Sequence, residues 1–134
     1  MLTIWNLKTC NLTPFKTNVG ILLEGRIQGF TNVIRILNIY APYKDRRVFW
    51  ENVEDSGVRS MQNLIVVGDL NFTMFSYENR GMMSSVDPLD SFFQYLFSRN
   101  KLIHNMPHKL SPKWRHKRLG VEGIRQRIDS FFCS

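Results

Sequence analysis

Cysteine is scarce in this chain. Only Cys10 and Cys133 occur, near opposite ends, and no CxxC pair is present. That excludes a disulfide framework and a cysteine-based zinc site, and it fits a reducing, intracellular compartment. Which compartment, the nucleus included, stays open. No apolar run approaches the roughly 18 residues that a membrane-spanning helix needs. Polar residues interrupt every apolar stretch of residues 1–15, so no secretory leader is read there and no membrane partner is expected. The three histidines, His104, His108 and His116, have no cysteine or carboxylate companions at zinc spacing and are expected on the surface or in loops. Repeats, low-complexity tracts and Pro/Gly/Ser linkers are missing too. A chain of 134 residues then has room for one domain, residues 1–134.

Acidic residues are scarce in one region. Residues 99–134 hold nine Lys/Arg and only two acids, Glu122 and Asp129, so this segment carries the whole net charge of +7. Residues 1–98 balance at nine against nine. A concentrated basic segment suits a polyanionic partner, most often nucleic acid, and equally describes a solvated basic face. What the chain has in quantity is aromatic side chains: 10 Phe, 4 Tyr and 3 Trp, within 43% hydrophobic residues. A disordered chain lacks such residues, so a sizeable core is expected.

Residues 19–27 ("VGILLEGRI") and 33–40 ("VIRILNIY") read as strands, with Gly29 in the turn between them. In the second, Val33, Arg35, Leu37 and Ile39 face one way and Ile34, Ile36, Asn38 and Tyr40 the other. Ala41-Pro42 stops it, because proline offers no ladder donor. Asp45 reads as a helix N-cap, Val48, Phe49 and Val53 as a short helical stripe, and Gly57 as its stop. Residues 64–67 form a fully apolar run suited to a covered sheet. Asp87-Pro88 reads as a second helix start, followed by Leu89, Phe92, Phe93, Leu96 and Phe97 at helical spacing as far as about Asn100. Short strands are expected at 102–105, 113–116 and 128–133. The alternation predicts an α/β layered domain.

The chemistry gathers at strand ends. "LIVVGDLNFT" runs from an apolar strand into Asp69 and Asn71, spaced i and i+2. On extended backbone the two share a face, and Leu70 points into packing. Gly68 permits close approach or an irregular strand exit. The carboxyl ends of strands are where α/β folds place ligands. An acceptor anion beside a donor amide can orient a water and hold a phosphoryl oxygen, and the same two residues also form an ordinary Asx-turn. Tyr40 ends a strand in "LNIYAPY". Its phenol can donate to a phosphate, or it is a half-buried core tyrosine. Asp129, in "QRIDSFF", lies beside an apolar run and needs a partner, either Arg125 or Arg127 or a histidine held in one tautomer.

In their order and spacing, "ILNIYAPY", "LIVVGDLNFT", "SPKWRHKR" and "RIDSFF" resemble the endonuclease/exonuclease/phosphatase superfamily. With "FWENV" and "VDPLDSFFQYLF", they resemble in particular the AP-endonuclease-like domain of LINE-type (non-LTR) retrotransposons. The resemblance runs through nearly the whole chain. It implies a deoxyribonuclease I-like, four-layer α/β sandwich, with two mixed sheets flanked by helices and only part of it present. It also implies Mg²⁺-dependent cleavage of DNA phosphodiesters, with DNA and the rest of a retrotransposon polyprotein as partners. Carried across by position, Asp69 would activate the attacking water. Asn71 and Tyr40 would contact the scissile phosphate, and Asp129 would orient the family's catalytic histidine. Lys113, Trp114 and Arg115 would lie near the DNA. Lys113 stands where the family commonly has Thr or Ser, so that hydroxyl's role does not transfer.

Two parts of the family pattern have no counterpart. The strand-end Asn and the Glu that is the main metal ligand should precede the segment that "LTIWN" resembles, and no Ser-Asp-His follows "RID". Glu24, in mid-strand, is no substitute. The expectation is an incomplete domain of 1–134, a remnant or fragment without its metal-ligand Glu, inactive alone and holding Mg²⁺ weakly. The alternative is a non-enzymatic nucleic-acid-binding module that uses the basic segment.

Overall fold

The computed structural model describes residues 3–57, 60–72, 79–80, 87–104, 114–115, 125–126 and 129–133. Their elements run β1 (Cys10–Lys16), β2 (Gly20–Ile27), β3 (Ile34–Tyr40), α1 (Arg46–Asp55), β4 (Leu64–Asp69) and β5 (Asn79–Arg80). Then follow α2 (Asp90–Arg99), β6 (Ile103–His104), β7 (Trp114–Arg115), β8 (Arg125–Gln126) and β9 (Asp129–Cys133). Six strands form a mixed sheet in the order β1-β2-β3-β4-β9-β6, and β5-β8-β7 form a second, three-stranded sheet. Within the first, only β3 and β4 are parallel. A parallel pair needs a crossover, and α1 lies within it.

The expected strands at 19–27, 33–40 and 64–67 are present as β2, β3 and β4, and the short ones at 102–105, 113–116 and 128–133 contain β6, β7 and β9. β1 was not foreseen. Its sequence, CNLTPFK, buries only Leu12 and carries a proline. Among the described residues β1 is an edge strand paired to β2, and an edge is where a sheet tolerates a residue without an N–H.

One face of the six-stranded sheet carries the helices. Leu37, Ile39, Leu64, Val66 and Phe132 on the strands meet Trp50 and Val53 of α1 and Phe93, Leu96 and Phe97 of α2, all of them buried. The register explains this set, because Leu37 pairs with Val66, Val66 with Phe132, and Phe132 with His104. Paired residues share a face, so one row of side chains crosses four strands. Aromatic rings fill the layer between sheet and helices. Phe97 stacks on Phe132 with centroids 4.2 Å apart, Phe72 stacks on Phe93 at 4.3 Å, and Trp50 meets Phe72, Phe93 and Phe97 edge-on. His104 belongs to this layer and not to a loop or the free surface, since its ring stacks on Phe132 at 4.6 Å. His108 and His116 lie outside the described residues.

The helix ends depart from the expectations drawn from sequence. Asp45 stands at the N-cap of α1, but its backbone is left-handed (φ 54°) and its carboxylate makes no capping bond. Val48 is 57% exposed, and Trp50, at 1%, takes the core position. Gly57 ends α1 as expected, in left-handed conformation (φ 87°), with its N–H directed to the Glu54 carbonyl. Asp87 does not cap α2 directly. Its carboxylate accepts the Leu89 N–H at 3.0 Å and its carbonyl accepts the Asp90 N–H at 2.9 Å, so one turn precedes a helix that starts at Asp90. The apolar stripe itself is as expected: Phe93, Leu96 and Phe97 are buried, and Leu89 and Phe92 pack against the core.

Phe72 is stacked within this layer, whereas Val48 faces solvent. Phe72→Ala is expected to cost about 3–5 kcal/mol in urea unfolding, and Val48→Ala less than about 0.5 kcal/mol. Comparable losses at the two positions would contradict the assigned packing.

Candidate active site

The pairing of β3, β4 and β9 aligns the strand-end residues singled out in the sequence. Tyr40 is the register partner of Asp69 across the parallel β3–β4 pair, and Asp69 is the register partner of Asp129 across β4–β9. Strands lie roughly 4.8 Å apart, so the three candidate residues occupy one row spanning about 10 Å of backbone. Since Leu37, Ile39 and Val66 face the helices, period-2 alternation puts Tyr40 and Asp69 on the opposite face. Tyr40 is 67% exposed, which excludes its alternative as a half-buried core residue. Asp129 is placed here by its backbone, and its side chain lies outside what the structure describes.

Beyond Asp69 the chain stops being extended. Asn71 is left-handed (φ 50°), and its N–H donates to Asp69 Oδ1 at 3.2 Å. This is an Asx-turn, so the argument that Asp69 and Asn71 share a face as strand neighbours does not hold. The Asn71 carboxamide Nδ2 donates instead to the carbonyl of Ala41, while the Ala41 N–H donates to the Asp69 carbonyl at 2.8 Å. Asn71 therefore ties the exit of β4 to the exit of β3. Leu70 and Phe72, 0% and 2% exposed, are the buried residues that alternate with this pair. Gly68 makes the exit feasible. Its φ is 123°, and a Cβ there would run into the Ile39 carbonyl oxygen.

One residue that sequence reasoning missed organises the turn. Arg46 Nη1 donates to the Asn71 carbonyl at 2.9 Å, and the guanidinium grips Asp87 in a bidentate pair at 2.6 and 2.9 Å. The two side chains are 20% and 8% exposed, so the pair is largely desolvated. A signal was available: Arg46 opens α1, and a cation at a helix N-terminus opposes the macrodipole and calls for a partner.

Glu24 takes no part in the site. Its carboxylate is held by Arg35 Nε at 2.6 Å across the β2–β3 pair. Lys113 lies outside the described residues. Trp114 and Arg115 lie on β7, paired with β8 in the second sheet, so the described pairing does not bring them to the Tyr40–Asp69–Asp129 row. Among the described residues no three His, Cys, Asp or Glu side chains group to hold a metal ion. Mg²⁺ takes one or two carboxylates together with substrate phosphates and waters, and the described residues do not supply a complete site for it.

Breaking the buried pair on one side strands a charge. Arg46→Leu is expected to lose about 3–5 kcal/mol of stability, and Arg46→Leu combined with Asp87→Leu to recover much of it. Gly68→Ala should cost roughly 1–3 kcal/mol through its positive φ. Equilibrium denaturation of the four proteins checks both, and a double variant no better than Arg46→Leu alone would contradict the first.

No family model matches the chain, and no curated protein matches it. Among solved structures, the fold is similar to the "Endonuclease domain of TRAS1, a telomere-specific non-LTR retrotransposon", with a TM-score of 0.72 and 15% sequence identity. The match covers 98% of this chain and 58% of that one, so this chain spans a little over half the length of its structural neighbour. The mixed sheet, the helices on one face and this likeness together give the chain an α/β fold similar to that of this deoxyribonuclease I-like neighbour.

Proposed function

We propose that this chain is part of a Mg²⁺-dependent DNA phosphodiester endonuclease domain of LINE type, and that these 134 residues do not cleave DNA by themselves. The observation that carries the reading is the row of Tyr40, Asp69 and Asp129 across three adjacent strand ends. Cleaving a phosphodiester requires a water held in line and charge stabilisation on the phosphoryl and leaving oxygens. Asp69 is the base that activates and orients that water. Tyr40, exposed beside it, donates its phenolic proton to a phosphoryl oxygen. A carboxamide nitrogen carries two hydrogens, so with one given to Ala41 the Asn71 side chain keeps the second for the scissile phosphate. Bound Mg²⁺ would neutralise charge that develops at the phosphate. By the family pattern Asp129 positions a histidine, and no Ser-Asp-His occurs in these 134 residues.

Incompleteness rests on the family pattern: its metal-ligand Glu and its Ser-Asp-His have no counterpart in the sequence. Groups that act as one unit lose most of their effect when one is missing. A second reading, a nucleic-acid-binding module without catalysis, draws support from the nine-to-two charge imbalance of residues 99–134, where Lys113, Trp114 and Arg115 are proposed DNA contacts.

A plasmid assay with and without Mg²⁺ tests the reading. The chain is expected to bind DNA and leave supercoiled plasmid intact. If about six phosphates are contacted, affinity should fall about 10³-fold between 50 and 200 mM salt. Mg²⁺-dependent nicking that disappears in Asp69→Ala would overturn the inactivity and support the role given to Asp69. Absence of DNA binding at low salt would count against both readings.

A further inference from the structure

Of the four charged residues on β1, β2 and β3, three lie on the helix-bearing face. Glu24 and Arg35 pair there, and Arg26 follows Glu24 by two residues. The fourth, Lys16, ends β1 and is exposed. Lys16 is the register partner of Ile21, and Ile21 is that of Asn38, two residues before Tyr40. Paired residues share a face, so Lys16 shares one with Tyr40 and Asp69, in the row directly behind theirs. Two strand spacings and one two-residue step put the Lys16 and Tyr40 backbones about 12 Å apart.

The backbone after Lys16 is fixed. The Thr17 N–H and hydroxyl both donate to the Gly20 carbonyl, at 2.9 and 3.0 Å, and the hydroxyl oxygen accepts from the Val19 and Gly20 N–H groups. Val19 then turns into the helix-side core, so β2 presents no side chain on the outer face at the level of Tyr40. Behind Tyr40 the face is covered at Asn38, whose Nδ2 donates to Thr3 Oγ1 at 2.9 Å. The way from Tyr40 to Lys16 therefore runs along the strand ends.

A phosphate backbone that reaches the Tyr40–Asp69–Asp129 row meets two carboxylates there, and cations beside them offset the repulsion. About 12 Å exceeds the Debye length of about 8 Å at physiological salt, so Lys16 does not act on Asp69 through space. Its charge tells where a phosphate touches it. At about 3.4 Å of axis per nucleotide, the separation matches three to four nucleotides of one strand. Neither Arg35 nor Arg26 can substitute, because both are on the other face. We propose that Lys16 is a phosphate contact for a DNA strand that runs from the Tyr40–Asp69 row across the end of β2 to the end of β1. This role presupposes the DNA reading proposed above, and gives the bound strand a direction and a contact outside residues 99–134. A lysine on an edge strand also discourages strand addition, and the two roles are separable by experiment.

Fluorescence anisotropy of a labelled DNA duplex with the 134-residue chain, without Mg²⁺ and between about 50 and 200 mM salt, makes the test. Lys16→Gln is expected to reduce the slope of log K against log salt by about 0.9, the value of one phosphate contact. Lys8→Gln removes the same charge just ahead of the opposite end of β1, where the Thr9 carbonyl accepts the Gln28 N–H, and should leave the slope unchanged. Both side chains are exposed, so neither change threatens the fold. In the unaltered chain, bound DNA should slow acetylation of Lys16 and not that of Lys8. Binding with an unchanged slope in Lys16→Gln overturns the contact and leaves the proposed function standing; self-association of that variant would then assign Lys16 to edge protection. An equal loss of slope in Lys8→Gln, or acetylation of Lys16 that ignores DNA, overturns the contact as well. A chain that fails to bind DNA at the lowest salt overturns the contact and both DNA readings together.

Discussion

The phenyl ring of Phe72 lies 4.3 Å from that of Phe93, 5.3 Å from that of Phe97 and 6.1 Å from that of Phe132, three residues beyond Asp69. Burying a ring of this size contributes about 1.5–3 kcal/mol, and here it acts on a chain segment that has just left the sheet. With Leu70 it draws the backbone back toward the helices, so Asp69 and Asn71 have little freedom to move. α2 depends on the same ring, since Phe93 and Phe97 lie against it. The core and the strand-end residues are in this sense one packing problem.

The Asx-turn reading and the catalytic reading of Asp69 and Asn71 looked like rivals in the sequence. In the fold the Asx-turn is present, and the catalytic roles proposed for the pair rest on atoms that the turn leaves over. The Asn71 backbone N–H serves the turn, one amide proton of its side chain binds Ala41, and its carbonyl receives Arg46. Asp69 then stands in a frame supported from α1, from β3 and, through Arg46, from Asp87 in the turn ahead of α2. Preorganisation of this kind is what the water-orienting role proposed for Asp69 would require, because reorganisation at the moment of reaction is costly.

Much of the fold was legible because its signals are local. β2, β3 and β4 show as runs of branched apolar residues, and α2 shows as a stripe of Leu and Phe at helical spacing. What was illegible depends on partners distant in sequence. β1 is recognisable only once β2 offers it a ladder. Trp50 displaces Val48 from the core because the groove it enters is built by α2, some 40 residues on. Arg46 finds Asp87 at a separation of 41 residues. Asn71 adopts positive φ because Ala41 and Arg46 are there to hold it, and nothing in "GDLN" encodes either contact. The row of Tyr40, Asp69 and Asp129 lies between these cases: each residue was visible at a strand end, but only the pairing of three strands made them neighbours.

The parallel pairing of β3 with β4 carries a consequence for how such a chain can change over time. Side chains alternate faces with a period of two, so a slip of one residue moves every position to the other side of the sheet. Loss or gain of a single residue inside β4 would turn Asp69 toward Trp50 and the phenylalanines and present Val66 in its place. The residues between Ala41 and Asp45, ahead of α1, are under no such parity rule. Insertions there lengthen a connection, whereas an insertion within either strand exchanges one face for the other.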